Sequence, residues 1–127
     1  MIEVSDEQFD KLIGQSMDEL PQEYITGMKN VVVTFENNPS PQQRLKQQLR
    51  QDQTLFGLYE GIPLTRRGAG YNLVLPDKIT IFKGPISQSS TDMPSLKRQV
   101  KHTLWHEIAH HFGLDHDRIH EIERNWH

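Results

Sequence analysis

One run of residues near the C-terminus constrains this chain more than any other: His106-Glu107-Ile108-Ala109-His110-His111-Phe112-Gly113-Leu114-Asp115-His116. The pattern is H-E-x-x-H-x-x-G-x-x-H. On a helix, residues four apart share a face and lie about one turn, roughly 6 Å, from each other. His106 and His110 can therefore hold one metal ion. Glu107 projects about 100° round the helix from His106, so it can hydrogen-bond a water on that ion without ligating the ion itself. On a straight helix His116 would sit roughly 9 Å further along the axis and off the face. Gly113 removes that obstacle, because glycine reaches positive φ without a Cβ clash and can end the helix and fold the chain back. Three imidazoles plus a water make the open tetrahedral set of catalytic zinc. The expectation is one Zn2+ ion on His106, His110 and His116, with Glu107 as general base. Asp115, His120 and Glu121 compete for the third position.

The rest of the composition supports a site built from histidine. The chain has no cysteine, which excludes both a disulfide framework and a thiolate zinc site. All of its histidines lie between His102 and His127. His102 sits one turn before His106 and His120 one turn beyond His116, where His120 can support the ligands. His111 points away from the ligand face and reads as a packing or surface histidine. Asp115 and Asp117 can orient ligand imidazoles through the ring nitrogen not bound to metal. A donor for the oxyanion of acyl hydrolysis is harder to read. Arg66, Arg67, Tyr71 and His120 are the candidates. The two arginines, set beside Gly68 and Gly70, could equally bind phosphate, pair with Glu60 or a substrate carboxylate, or form a solvated turn.

The 127 residues carry a net charge of −3 and a mean hydropathy of −0.68. That length fits a single domain over residues 1–127, and the acidic balance argues against nucleic acid as the main partner. The N-terminus is polar, with no signal-like or membrane-spanning run, so a cytoplasmic protein with no membrane partner is expected.

Along the chain, Ser5 with Gln8 forms a capping box for a helix to Glu19, and Pro21 starts a second short helix. Val31 to Phe35 is a β-branched run that reads as a buried strand. Ser40, Pro41 and Gln43 announce an N-cap, and the glutamine-rich stretch that runs on to Gln51 reads as a short helix or an ordered excursion, too polar to be core apart from Leu45 and Leu49. Leu55 to Glu60 and Ile79 to Phe82 read as strands. Ile86 to Thr91 is serine-rich and reads as a loop forming one lip of a cleft. Thr91 or Asp92 then caps a helix to Phe112, with Leu104, Ile108 and Phe112 on its back and Gln99, His102, His106 and His110 on its front. Asp115 or Asp117 caps a last helix reaching Trp126. This order implies an α+β layered fold.

Three stretches carry a family resemblance: Tyr59 to Thr65, Leu75 to Phe82, and Thr103 to Asp115. Together they resemble the small bacterial zincin-like metallopeptidases. The resemblance implies a minimal zincin fold, in which a small mixed β-sheet packs on the active-site helix between N- and C-terminal helices. It implies a peptide or protein substrate lying beside an edge strand, for which Ile79 to Phe82 is the candidate. Many members of that family carry aspartate where this chain has His116. The H-E-x-x-H-x-x-G-x-x-H spacing is similar to that of the metzincins, but no methionine follows His116 to make their methionine turn.

Two other functions fit part of the pattern. Gly113-Leu114-Asp115-His116 is also similar to the H-x-x-x-H-x-x-G-x-D-H run of bacterial rRNA-maturation endoribonucleases. Glu107 discriminates, since that family lacks a glutamate after its first histidine and a peptidase needs one. A zinc-binding interaction module with little turnover is the remaining alternative.

Overall fold

The computed structural model describes residues 1–61 and 76–125. In chain order these form α1 (Asp6–Glu19), α2 (Gln22–Gly27), β1 (Val31–Glu36), α3 (Pro41–Lys46), β2 (Gly57–Glu60), β3 (Asp77–Phe82), α4 (Lys83–Ser89), α5 (Met93–Phe112) and α6 (His116–Glu123). The fold is the expected α+β arrangement with a small mixed sheet. Arg66, Arg67, Tyr71 and Trp126 lie outside the described residues.

Local signals set most helix starts. Ser5 and Gln8 make a reciprocal capping box on α1, and Ser40 and Gln43 make another on α3. Asp92 caps α5, its carboxylate accepting from the Ser95 N–H. Asp115 caps α6 in the same way, through the Arg118 N–H at 2.8 Å.

The sheet has the order β1-β3-β2. β1 runs parallel to β3, with Val33 opposite Ile79, and β2 runs antiparallel to it, with Tyr59 opposite Ile79. This order corrects the expectation for a substrate strand. Ile79 to Phe82 belongs to the central strand, whose backbone is paired on both sides, so no peptide can add to it. β1 is the outer parallel strand and is only half-buried, with Val32 46% exposed, rather than the buried strand that its β-branched run suggests.

α5 is the axis of the molecule. α1, α4, β2 and β3 all pack against it. Leu104 and Ile108 are fully buried, as expected for the back of the helix, while Phe112, placed there too, is only half-buried; Leu96 and Val100 extend the same buried stripe towards the N-terminus. Trp105 and His111 are buried as well, on its flanks. Neighbours therefore cover α5 on several sides, and a strip carrying His106 and His110 stays partly open. Phe9 and Leu12 of α1 complete this core, with Phe9 edge-on to Phe35 at 5.2 Å.

Two further expectations fail for tertiary reasons. The serine-rich stretch after Phe82 is a helix, not a loop. Pro85 stands in the first turn of α4, Ile86 is fully buried, and the hydroxyls of Ser89 and Ser90 donate back to the Ile86 carbonyl at 3.0 and 2.8 Å. Serines thus substitute for backbone partners at the end of α4, which packs on α5 and β1. The glutamine-rich stretch does begin as a short helix, α3, which ends at Lys46 before Gln48 turns the chain through the left-handed region at φ 56, but the apolar contact expected of Leu45 is not made. Leu45 is 81% exposed and makes no core contact.

Candidate metal centre

The last two turns of α5 bring His106, Glu107 and His110 together. Their ligand atoms all lie within 4.8 Å of one another. The imidazole rings of His106 and His110 are 4.6 Å apart between centroids. Both rings are partly open, while Glu107 is 7% exposed and its carboxylate lies 3.2 Å from Nδ1 of His110. The i, i+4 spacing thus gathers two imidazoles, and the intervening glutamate is held beside them.

Burial and charge act on the two histidines in opposite directions. Burial lowers the pKa of His106, against the nearby carboxylate of Glu107, which raises it. His110 is raised, first by its hydrogen bond to Glu107. His106 is therefore the readier of the two to offer a lone pair at neutral pH.

Gly113 ends α5 in the left-handed conformation, with φ 70 and ψ 28. Its N–H reaches the His110 carbonyl at 3.0 Å, and the Leu114 N–H reaches that of Ala109 at 3.1 Å, which closes the helix C-terminus. The turn delivers His116 to the first position of α6, with its ring centroid 6.2 Å from that of His106. Two imidazoles on one tetrahedral zinc would stand roughly 5 Å apart, given Zn–N bonds of about 2.0–2.1 Å. His116 is exposed and lies just outside the tight group formed by the other three residues. Gly113→Ala is expected to cost about 1–2 kcal/mol, the penalty of a Cβ in the left-handed region, and to weaken metal binding through His116. Urea denaturation and a zinc titration measure the two effects separately.

The remaining candidates divide. Asp115 commits its side chain to capping α6, so it fixes the turn that carries His116. His120 is exposed and stacks on His116 with ring centroids 6.4 Å apart. Glu121 is engaged with Arg118 at 3.0 Å on the surface. Glu123 escapes sequence reasoning altogether. Its mostly shielded carboxylate lies between His102 on α5 and His120 on α6, at 3.6 and 3.4 Å, and so links the ligand-bearing helix to the one that follows. Its i, i+3 distance from His120 was the available signal.

His111 is a packing histidine, but a polar one. Its Nδ1 lies 3.0 Å from the buried Asp77 carboxylate, which also accepts from the Tyr59 hydroxyl at 2.6 Å. These three residues join the last turn of α5 to β2 and β3, behind the ligands.

Gly57 was also missed. A Cβ there would come within 2.7 Å of the Thr103 methyl, 3.2 Å of Cγ of Glu107 and 3.3 Å of the Thr80 carbonyl. The bare backbone lets β2 lie directly against α5 and confine Glu107. Gly57→Val is expected to destabilise the fold by about 1–3 kcal/mol through overpacking, read from the urea midpoint.

The donor set suits zinc. It is all nitrogen and carboxylate oxygen, with the nitrogens on one helical face and a carboxylate beside them.

A search of the curated proteins finds no match. Among solved structures, a conserved hypothetical protein from Thermo thermophilus has the same fold, with a TM-score of 0.57 and 22% sequence identity over 86% of this chain and 94% of that one. The sequence model of the zincin-like metallopeptidases matches residues 28–126, from the end of α2 through the sheet and the helix bearing His106, Glu107 and His110. This chain belongs to the zincin-like metallopeptidase family.

Proposed function

We propose that the protein is a zinc-dependent peptidase, with one ion held by His106, His110 and His116. The observation that carries this reading is the convergence of His106, Glu107 and His110 within 4.8 Å in a chain of this family. Bound zinc supplies Lewis acidity, polarising a carbonyl and lowering the pKa of a water to about 7. Glu107 takes the proton from the attacking water as the carbon–oxygen bond forms, then delivers it to the amine nitrogen as the carbon–nitrogen bond breaks. Its low exposure and its contact with His110 limit the carboxylate to few orientations, which favours a single line of proton transfer.

The substrate backbone lies along β2 rather than β3. β2 pairs with β3 on one side and packs against α5 beside Glu107 through Gly57. An extended peptide placed there brings its carbonyls towards the ligand face of α5. Among the described residues no helix is long and apolar enough to cross a membrane.

The test compares zinc-loaded wild type with Glu107→Ala on a peptide library and on structured RNA. Peptide cleavage that disappears in the variant supports the proposal. RNA cleavage indifferent to Glu107 would replace it with the nuclease reading. Zinc retention without hydrolysis of either substrate would leave a metal-binding module.

A further inference from the structure

A cavity of about 270 Å³ lies between α1 and α5. Three cations reach it from α5: Lys97, Arg98 and Lys101. α1 supplies Gln15, Ser16 and Glu19. Ser16 is buried and belongs to the floor, whereas Gln15, Glu19, Lys97 and Arg98 are exposed and form the lips. Lys101 differs from the other two cations. Its side chain is only 19% exposed, and its ammonium stands 3.9 Å from the Glu19 carboxylate, itself 64% exposed. Lys97 and Lys101, four apart, share a face of α5. At about 100° per residue, Lys101 is turned about 140° round the axis from His106. The cavity shares no residue with the group formed by His106, Glu107 and His110.

We infer that this cavity between α1 and α5 binds a phosphoryl group, as the free phosphate ion or as the ester of a small metabolite. Charge selects the occupant. Three cations against one carboxylate give the described lining an excess of two positive charges, and a phosphate ester carries about −1.5 to −2 at pH 7. The chain as a whole is acidic, at −3, so the attraction belongs to this cleft and not to the surface at large. The donor types fit as well. An ammonium meets a phosphate oxygen as a point charge, and a guanidinium can grip two oxygens in parallel. Gln15 and Ser16 add neutral hydrogen-bonding groups. Size sets the limit. Pockets for small molecules start at about 300 Å³, so a phosphoryl group with a few attached atoms fits here, whereas most of a nucleotide would project from the cleft.

Glu19 opposes the ligand. Its carboxylate offsets Lys101 at a separation that is long for an ion pair and open to solvent on the Glu19 side, so the pair is weak and Lys101 can exchange it for a dianion. Arg98 also feels the Asp92 carboxylate at the start of α5, which leaves the two lysines to supply most of the field. The double variant Lys97→Gln, Lys101→Gln should therefore weaken phosphate binding by at least about tenfold, because hydrogen bonds to charged groups are the stronger kind. Glu19→Gln should tighten it by about two- to fivefold, the effect of removing one exposed opposing charge. Glu19→Gln alters only an exposed side chain, so it keeps the test decisive even if the lysine variant folds poorly.

The experiment is an NMR titration of the zinc-loaded protein in which inorganic phosphate or glycerol phosphate replaces chloride at constant ionic strength. Saturable shifts are expected at the amides of Gln15, Ser16, Lys97 and Lys101, with affinity lowered in the double lysine variant and raised in Glu19→Gln. Inorganic phosphate binding as tightly as the ester supports the site with the free ion as its occupant. Tighter binding of glycerol phosphate supports it with an ester. Shifts that never saturate would overturn the site. So would shifts centred on His106 and His110, which report an anion on the metal, or an affinity that neither Glu19→Gln nor the double lysine variant changes.

Discussion

Glu107→Gln is expected to lower kcat by about 10²–10⁴-fold, the range attributed to a positioned general acid–base, while KM for the same peptide changes little. Glutamine keeps the size of the side chain and can still contact His110 at the 3.2 Å position of the carboxylate, so the fold and the zinc stoichiometry should survive. It cannot accept a proton from water. Loss of kcat with KM retained is the signature of an interaction made only in the transition state. If the variant instead loses zinc, Glu107 acts as a ligand and the assignment of a base to this position fails. Single-turnover peptide hydrolysis with a parallel zinc assay separates the two outcomes.

The parts of this structure that were legible in the sequence are those whose causes lie within one helical turn. The capping boxes at Ser5 and Ser40, the Asp92 cap and the glycine stop at Gly113 are local hydrogen-bonding solutions, and each reads directly from residue type and spacing. The convergence of His106, Glu107 and His110 is likewise a property of helical periodicity. What escaped depends on partners far along the chain. α4 looked like a polar loop because its burial rests on Ile86 alone among large apolar residues, with serines bonding back to the helix. The central place of β3 follows from strand order, which no pattern within Asp77–Phe82 encodes. Gly57 matters only because Thr103 and Glu107 approach it, and Glu123 only because His102 stands opposite on α5. The scaffold around the metal site was thus the less legible half, although its backbone elements were largely visible.

His106→Ala and His110→Ala should each weaken zinc binding by well over 100-fold, since disturbing only the partners of metal ligands already costs about 10–100-fold. A chromophoric chelator in competition with the protein measures this. His116→Ala provides the sharper comparison, because its ring lies 6.2 Å from that of His106 and outside the tight donor group. A loss matching that of His110→Ala makes His116 the third ligand; wild-type affinity would instead direct attention to the neighbouring His120 and Glu123. The pH dependence adds a test of sign. Zinc takes neutral imidazole, and Glu107 raises the pKa of His110 in the metal-free protein, so protons compete with zinc most strongly at His110. Affinity should therefore rise with pH through the imidazole range, and zinc should displace a proton wherever His110 is still charged. In Glu107→Gln the carboxylate that stabilises the charged imidazole is gone, the pKa of His110 falls, and the midpoint of this dependence should move to lower pH. A midpoint unmoved in Glu107→Gln would mean that the contact between Glu107 and His110 does not govern the proton that zinc displaces.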